Sequence, residues 1–279
     1  MRNQSWTDEK RDILLKDLTR RFFSARAFFN DLKEHTQRYG IRFDGFHFWV
    51  GTEMDKGVLW EMKDMAQVLW GEARSSKEPE GAVLCWMLGA LFHEAMKLKE
   101  NAYMLDKYNS TFPSQAMELL SVRGAEDGAF STVQEKRNRF FEDTRRECTR
   151  SMRRVDCLFE SASDLLLHIL EKEKENPLLI RYLVEEAENS RNQPEANQGY
   201  SPQEVLDRLF PAEIDRAWYL AGESYLDGGW FDEARASFEK ALEINPESPD
   251  ARAGLHLLER RIDEIDTMTK KEMEIMGNL

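Results

Sequence analysis

The stretch Asp215–Pro246 constrains this chain most, because its small and large residues stand at offsets that a pair of packed helices requires. It reads Asp-Arg-Ala-Trp218-Tyr-Leu-Ala221-Gly222-Glu-Ser-Tyr225, turns at Gly228-Gly229, and continues through Trp230, Ala234, Phe238 and Ala241 to Asn245-Pro246. Gly222 on the first helix and Ala234 on the second mark the closest approach, where a larger side chain would push the helices apart. Trp218, Tyr225 and Phe238 fill the space on either side, at the 3–4 spacing of one helical face. Gly228-Gly229 supplies a residue able to take positive φ at the end of the first helix. Pro246 stops the second, since proline has no amide hydrogen and restricts the residue before it.

Counted from Asp215, the residues Trp218, Gly222, Tyr225, Ala234, Phe238, Ala241 and Pro246 fall on the signature places of one tetratricopeptide repeat, which this stretch resembles. Ala221 is small where that family usually has leucine, and Leu220 stands beside it. The resemblance implies a helix–turn–helix module that binds proteins. It also implies that Arg216, Tyr219, Glu223 and Leu226 look into the concave groove. One subclass of the family grips a chaperone's C-terminal carboxylate with lysine and asparagine at two of these places. Tyr219 and Glu223 stand there instead, and Glu223 would repel a carboxylate, so a basic or apolar helix or peptide is the expected partner.

After Pro246, Asp250-Ala251-Arg252-Ala253 resembles the opening of a second repeat, but His256 stands where the family requires a small residue. The run Leu255, Leu258, Ile262, Ile265 and Met268 reads as one amphipathic helix, suited to closing a repeat stack with a polar outer face. Grooves in this family usually need about three repeats. Upstream helices must therefore supply the stacking partner or the rest of the groove, and the first role is preferred.

Composition sets the wider bounds. The 279 residues are 41% hydrophobic and 11% aromatic, enough for a substantial core. The net charge of −13 is uneven: from Ser201 onward there are 9 basic and 18 acidic residues. Such a balance repels nucleic-acid backbones. Cys85, Cys148 and Cys157 are three, widely spaced and without a Cys-x-x-Cys pair, which predicts reduced thiols and a cytoplasmic location. The first residues run straight into charge, unlike a signal peptide. The apolar run Gly81–Phe92 falls short of the roughly 20 residues of a spanning helix, so no membrane insertion is expected.

The rest of the chain is read as helical. A helix from Ser5 or Thr7 to Tyr39 carries a stripe of Ile13, Leu14, Leu18, Phe22, Ala25, Phe29 and Leu32. Asp44-Gly45 lies between Ile41-x-Phe43 and Phe46-x-Phe48, the pattern of a tight hairpin, with an irregular aromatic connection as the alternative. Thr52 and Asp55 resemble a capping box before a helix to about Ala73 with Met62, Ala66 and Leu69 on one face. The helix from about Glu80 to Tyr108 is apolar almost all round at first, which predicts burial on most sides. Pro113-Ser114 opens a shorter helix, to near Gly124. From Ser131 to Glu175 runs a stripe of Phe140, Thr144, Cys148, Met152, Val155, Phe159, Ala162, Leu166 and Ile169, one long helix or a broken one. Leu178–Ser190 is a further helix, Arg191–Gln198 a linker, and Ser201-Pro202 caps a short helix before the repeat.

Other chemistry is thin. Lys136–Arg154 holds 8 basic against 3 acidic residues and reads as a solvated face, an internally paired face, or a site for an anionic partner. His93-Glu94 invites a metal, but no Glu-x-x-His or His-Glu-x-x-His occurs, so neither metal nor cofactor is expected. The expected architecture is all-α: an N-terminal helical domain over 1–191, a linker at 192–200, and a repeat unit with a capping helix over 201–279. The expected function is a non-catalytic adaptor or assembly factor that holds a protein partner, and homo-oligomerisation stays open. The alternative is an enzyme or ligand-binding domain centred near Trp86, His93 and Glu94.

Overall fold

The computed structural model describes residues 8–39, 41–43, 46–48, 56–123, 127–191 and 199–277, with side chains chiefly at 11–30, 61–101, 134–191 and 199–270. These residues are helical apart from one short hairpin. Packing divides the chain into two compact units, Arg21–Leu165, and Met1–Arg20 together with Leu166–Leu279. The cuts fall inside helix α1 (Asp8–Tyr39) and helix α4 (Asp127–Glu171), and residues 192–198 of the expected linker lie outside the described residues.

In the unit Arg21–Leu165, strands β1 (Ile41–Phe43) and β2 (Phe46–Phe48) pair antiparallel, Ile41 opposite Phe48, as the alternating apolar residues around Asp44-Gly45 predict. Thr52 and Asp55 lie outside the described residues. Helix α2 (Lys56–Ser75) packs along helix α3 (Pro79–Arg123). The core is aromatic: Phe29 of α1 lies 5.6 Å from Phe92 of α3 and edge-on to Phe159 of α4 at 4.9 Å. All three are buried, and each such ring contributes on the order of 1.5–3 kcal/mol of burial free energy.

Several expectations change here. Helix α3 runs unbroken through Pro113, where a new helix was expected to start. Ile13, placed on the buried stripe, is 64% exposed and Leu15 is buried in its stead, because the 3.6-residue period favours 15, 18, 22, 25 and 29. Val83 and Trp86, in the helix expected to be covered on most sides, are exposed. The stretch Pro79–Asn101 is long and apolar enough to cross a membrane by composition, yet 56% of its most apolar window is buried within the protein. By contrast, α4 is continuous over 45 residues, and its stripe from Cys148 through Val155, Phe159 and Ala162 is buried as the spacing requires. Burial and the neighbouring Glu147 push the Cys148 thiol up to about 11, so it remains protonated and inert.

In the other unit, helix α5 (Pro177–Ser190) begins at Asn176, whose Oδ1 accepts from the Leu178 and Leu179 amides and whose Nδ2 donates to Asp12. Helix α6 (Pro202–Leu209) begins with a capping box, Ser201 Oγ accepting from the Glu204 amide while Glu204 accepts from the Ser201 amide. Then come α7 (Ile214–Asp227), α8 (Phe231–Ile244) and α9 (Pro249–Gly277). Helix α5 packs on α6 and α7, and α9 packs on α8 and α7. The α7–α8 hairpin is thus flanked by α5 and α6 on one side and by α9 on the other.

Candidate functional site

The hairpin is closed by one ring. Phe238 of α8 is fully buried, and its ring lies so close to Gly222 of α7 that a Cβ there would meet it at 2.5 Å. A Cβ on Gly254 of α9 would meet the same ring at 2.6 Å. One phenyl group therefore fills the space where three helices converge, and only hydrogen on two of them leaves room. Ala234 and Ala241 are fully buried, as are Ala217, Ala221 and Ala251, so the backbones approach throughout. Leu226 and Leu258 complete the cluster, with Tyr219, Tyr225, Phe231, Leu255 and Ile262 packed against it.

The turn is equally specific. Gly229 has φ +77°, its amide donates to Leu226, and the Trp230 amide donates to Tyr225. That is the paired bonding with a left-handed residue that satisfies the last carbonyls of a helix. At the other end α8 stops at Asn245, whose side chain donates to Asp215 at 2.9 Å, and Pro246 is exposed in the following turn. Trp218 is half-buried.

The four residues expected to face a partner have separate fates. Arg216 is held from both sides, donating to Glu175 at 2.6 and 3.1 Å and to Asp250 at 2.9 Å. The Arg216 guanidinium keeps the Glu175 carboxyl below the usual carboxylate range. Tyr219 is half-buried, packs on Phe238 at 5.9 Å, and donates its hydroxyl to Glu223 at 2.5 Å. Burial first, then that bond to a carboxylate, raises the phenol pKa of Tyr219. Glu223 is half-buried beside it. Leu226 is 3% exposed and belongs to the core, so it is not available to a partner. The face of α7 that remains carries the Tyr219–Glu223 pair, and beside it Arg216 with the carboxylates of Glu175 and Asp250 on either side of its guanidinium.

The rival centre separates. His93 lies against the Trp70 ring at 5.5 Å, on the α2 side of α3. Glu94, one residue and about 100° further round the helix, turns to α4 and accepts from Ser151 at 3.1 Å, Lys97 at 3.1 Å and Arg154 at 3.5 Å. Burial alone would raise the Glu94 carboxyl, but the bonds from Lys97 and Ser151 and the charges of Lys97 and Arg154 outweigh it and hold it below its ordinary value. An open cavity of about 490 Å³ beside Trp86 is lined by Trp70, Ala73, Arg74, Ala82 and Val83, and His93 and Glu94 lie outside it. No group of three or more potential metal ligands occurs among the described residues.

The basic run on α4 is partly consumed within the fold. Arg154 reaches Glu94, Arg150 pairs with Glu147 at 3.3 Å, and Arg146 stands 3.7 and 3.8 Å from Glu142 and Asp143. Sequence reasoning missed Gly254, because it examined His256, two residues later, for a small side chain. His256 is exposed and outside the helix contact. Helix α5, expected over Leu178–Ser190, takes the stacking place for which an upstream helix was preferred, and joins the hairpin through the Tyr225 hydroxyl, bonded to Glu185 at 2.8 Å.

Residues 215–248 match the family model of the tetratricopeptide repeat. Among curated proteins and among solved structures, nothing matches the chain. The α7–α8 hairpin is a single tetratricopeptide repeat near the C-terminus, a module that generally mediates contacts between proteins.

Proposed function

We propose that the protein is a non-catalytic adaptor or assembly factor that holds a partner protein against the α7 face of its repeat. The observation that carries this reading is the repeat itself, supported on both sides by α5 and α9 although no second complete repeat follows. The stacking role is supplied by helices without the repeat's signature, which leaves the α7 face presented on a fixed frame. Its half-buried Tyr219–Glu223 pair, a carboxylate beside an aromatic ring, favours a partner segment with a basic residue and an apolar one. The burial of Cys85 and Cys148 fits a reducing compartment such as the cytoplasm.

The test is affinity capture from the native host with wild type, Tyr219→Ala and Glu223→Lys. The reading predicts a specific protein held by wild type and lost or strongly depleted with both variants, most with the charge reversal. Equal retention by all three would remove the α7 face from consideration.

A further inference from the structure

A second site lies in the same unit, away from the α7 face. Arg181 of α5 is 9% exposed. Its guanidinium lies over the Trp230 ring at 4.6 Å and near the Tyr225 ring at 5.2 Å. Its Nε has no hydrogen-bond acceptor. The Glu185 carboxylate is 3.4 Å away, but the oxygen that faces Arg181 already accepts from the Tyr225 hydroxyl. Ser224 Oγ, also buried, has no hydrogen-bond partner either. Both residues line an open cavity of about 880 Å³ whose edge carries the exposed side chains of Leu178 and Trp230.

A buried donor without an acceptor costs stability, and a guanidinium costs more than a hydroxyl. Three other pairs around this cavity are closed: Arg11 with Glu173 at 2.6 Å, Asp12 with Asn176, and Glu175 with Arg216. The deficit is specifically one of acceptors, at a planar fork held between aromatic rings. We propose that this cavity receives the side-chain carboxylate of an acidic residue, flanked by an apolar residue, from a segment of a partner protein. A carboxylate offers two coplanar oxygens to the guanidinium fork, and the apolar neighbour covers Leu178 and Trp230. A phosphate is disfavoured, because five carboxylates against four basic residues, Arg181 included, line the cavity and leave no surplus positive charge for a second negative one. The site rests on the protein-binding reading but uses neither Tyr219 nor Glu223, the two residues on which that reading turns.

The experiment uses terminally blocked hexapeptides with one Glu or Asp between Leu and Phe, and their Gln or Asn counterparts, titrated by fluorescence anisotropy against the full chain. Blocking the termini leaves the side chain as the peptide's one carboxylate. The acidic peptides should bind, the amide counterparts about tenfold more weakly or not at all, and Arg181→Met should lose the acidic peptides by a similar factor. The melting temperature of Arg181→Met should stay level or rise, since a buried guanidinium with an unmet donor is removed. A purely structural arginine would instead lower it and leave peptide binding unchanged. Trp230→Ala, at the exposed edge, should weaken the acidic peptides several-fold and carries the test if Arg181→Met does not fold. Tyr219→Ala and Glu223→Lys should retain the peptides, so that failure of the α7 reading is distinguishable. Absence of binding to every acidic peptide, or equal binding of acid and amide, overturns the proposal.

Discussion

Two joints in this protein are built alike, an aromatic ring laid on a glycine, and they end differently. In the unit Arg21–Leu165 the indole of Trp70 lies against Gly89, where a Cβ would meet the ring at 2.6 Å. In the repeat the phenyl of Phe238 lies against Gly222 at 2.5 Å. Trp70 stays half-exposed, donates its indole N–H to the Trp86 carbonyl at 3.3 Å, and borders an open cavity. Phe238 is sealed, because α9 brings a second glycine, Gly254, onto the same ring. Two helices and a ring make a rim, and a third helix with its own glycine makes a core. This explains why α9 belongs to the repeat although it lacks a second repeat's signature.

The comparison breaks most visibly if its sealed ring is removed. Phe238→Ala should cost about 3–5 kcal/mol, the range for a fully buried ring, and Trp70→Ala clearly less, because water already reaches that indole. Urea unfolding of the two variants checks this, and equal losses would mean that the third helix adds nothing. Next in size, Gly254→Ala and Gly222→Ala should each cost about 1–3 kcal/mol through overpacking, and by similar amounts. Gly89→Ala should cost less, since the half-exposed Trp70 can tilt outward. A tolerated Gly254→Ala would show that α9 does not close the core.

Glu94 sharpens the contrast, since the N-terminal unit buries a carboxylate where the repeat buries only small and apolar groups. Its carboxyl is held below its ordinary value of 4.5. The stability it supplies is therefore complete above that value and is lost as pH falls through the lower value of the folded protein. Glu94→Gln should lower stability by about 1–3 kcal/mol at neutral pH and by progressively less in acid. An undiminished difference between wild type and variant at low pH would contradict this. The smallest effect belongs to the turn. Gly229→Ala should cost about 1 kcal/mol, because φ +77° is strained for any residue with a Cβ. Equilibrium unfolding should resolve it, and an unchanged midpoint would argue against that turn geometry.

The two joints also differ in how far they were legible. Gly222, Ala234 and Phe238 lie within one hairpin, where helix period and turn length fix which residues meet, so their spacing is enough. Trp70 and Gly89 also lie on consecutive helices, but no repeat pattern marks the register of that crossing. Glu94 and Ser151 are 57 residues apart. Arg181 and Trp230 are as remote from each other in local pattern, and nothing at either position announces the cavity they share. Exposure was misjudged at Ile13 and Trp86 for a related reason. An apolar residue shows that burial is favourable, whereas the neighbouring element decides whether it happens. The helical class and the buried stripe of α4 were legible, because periodicity acts locally, whereas the continuity of that helix and the pairing of Ile41–Phe43 with Phe46–Phe48 were each one of two open alternatives.

The central claim is that the α7 face of this one repeat holds a protein partner. Its most direct measurement is a binding titration of the captured partner against wild type, Glu223→Lys and Asp266→Lys, the last a charge-matched reversal on the exposed side of α9. The account predicts that Glu223→Lys weakens binding at least tenfold while Asp266→Lys stays close to wild type. Equal affinities for all three proteins, or an equal loss in both variants, would contradict it.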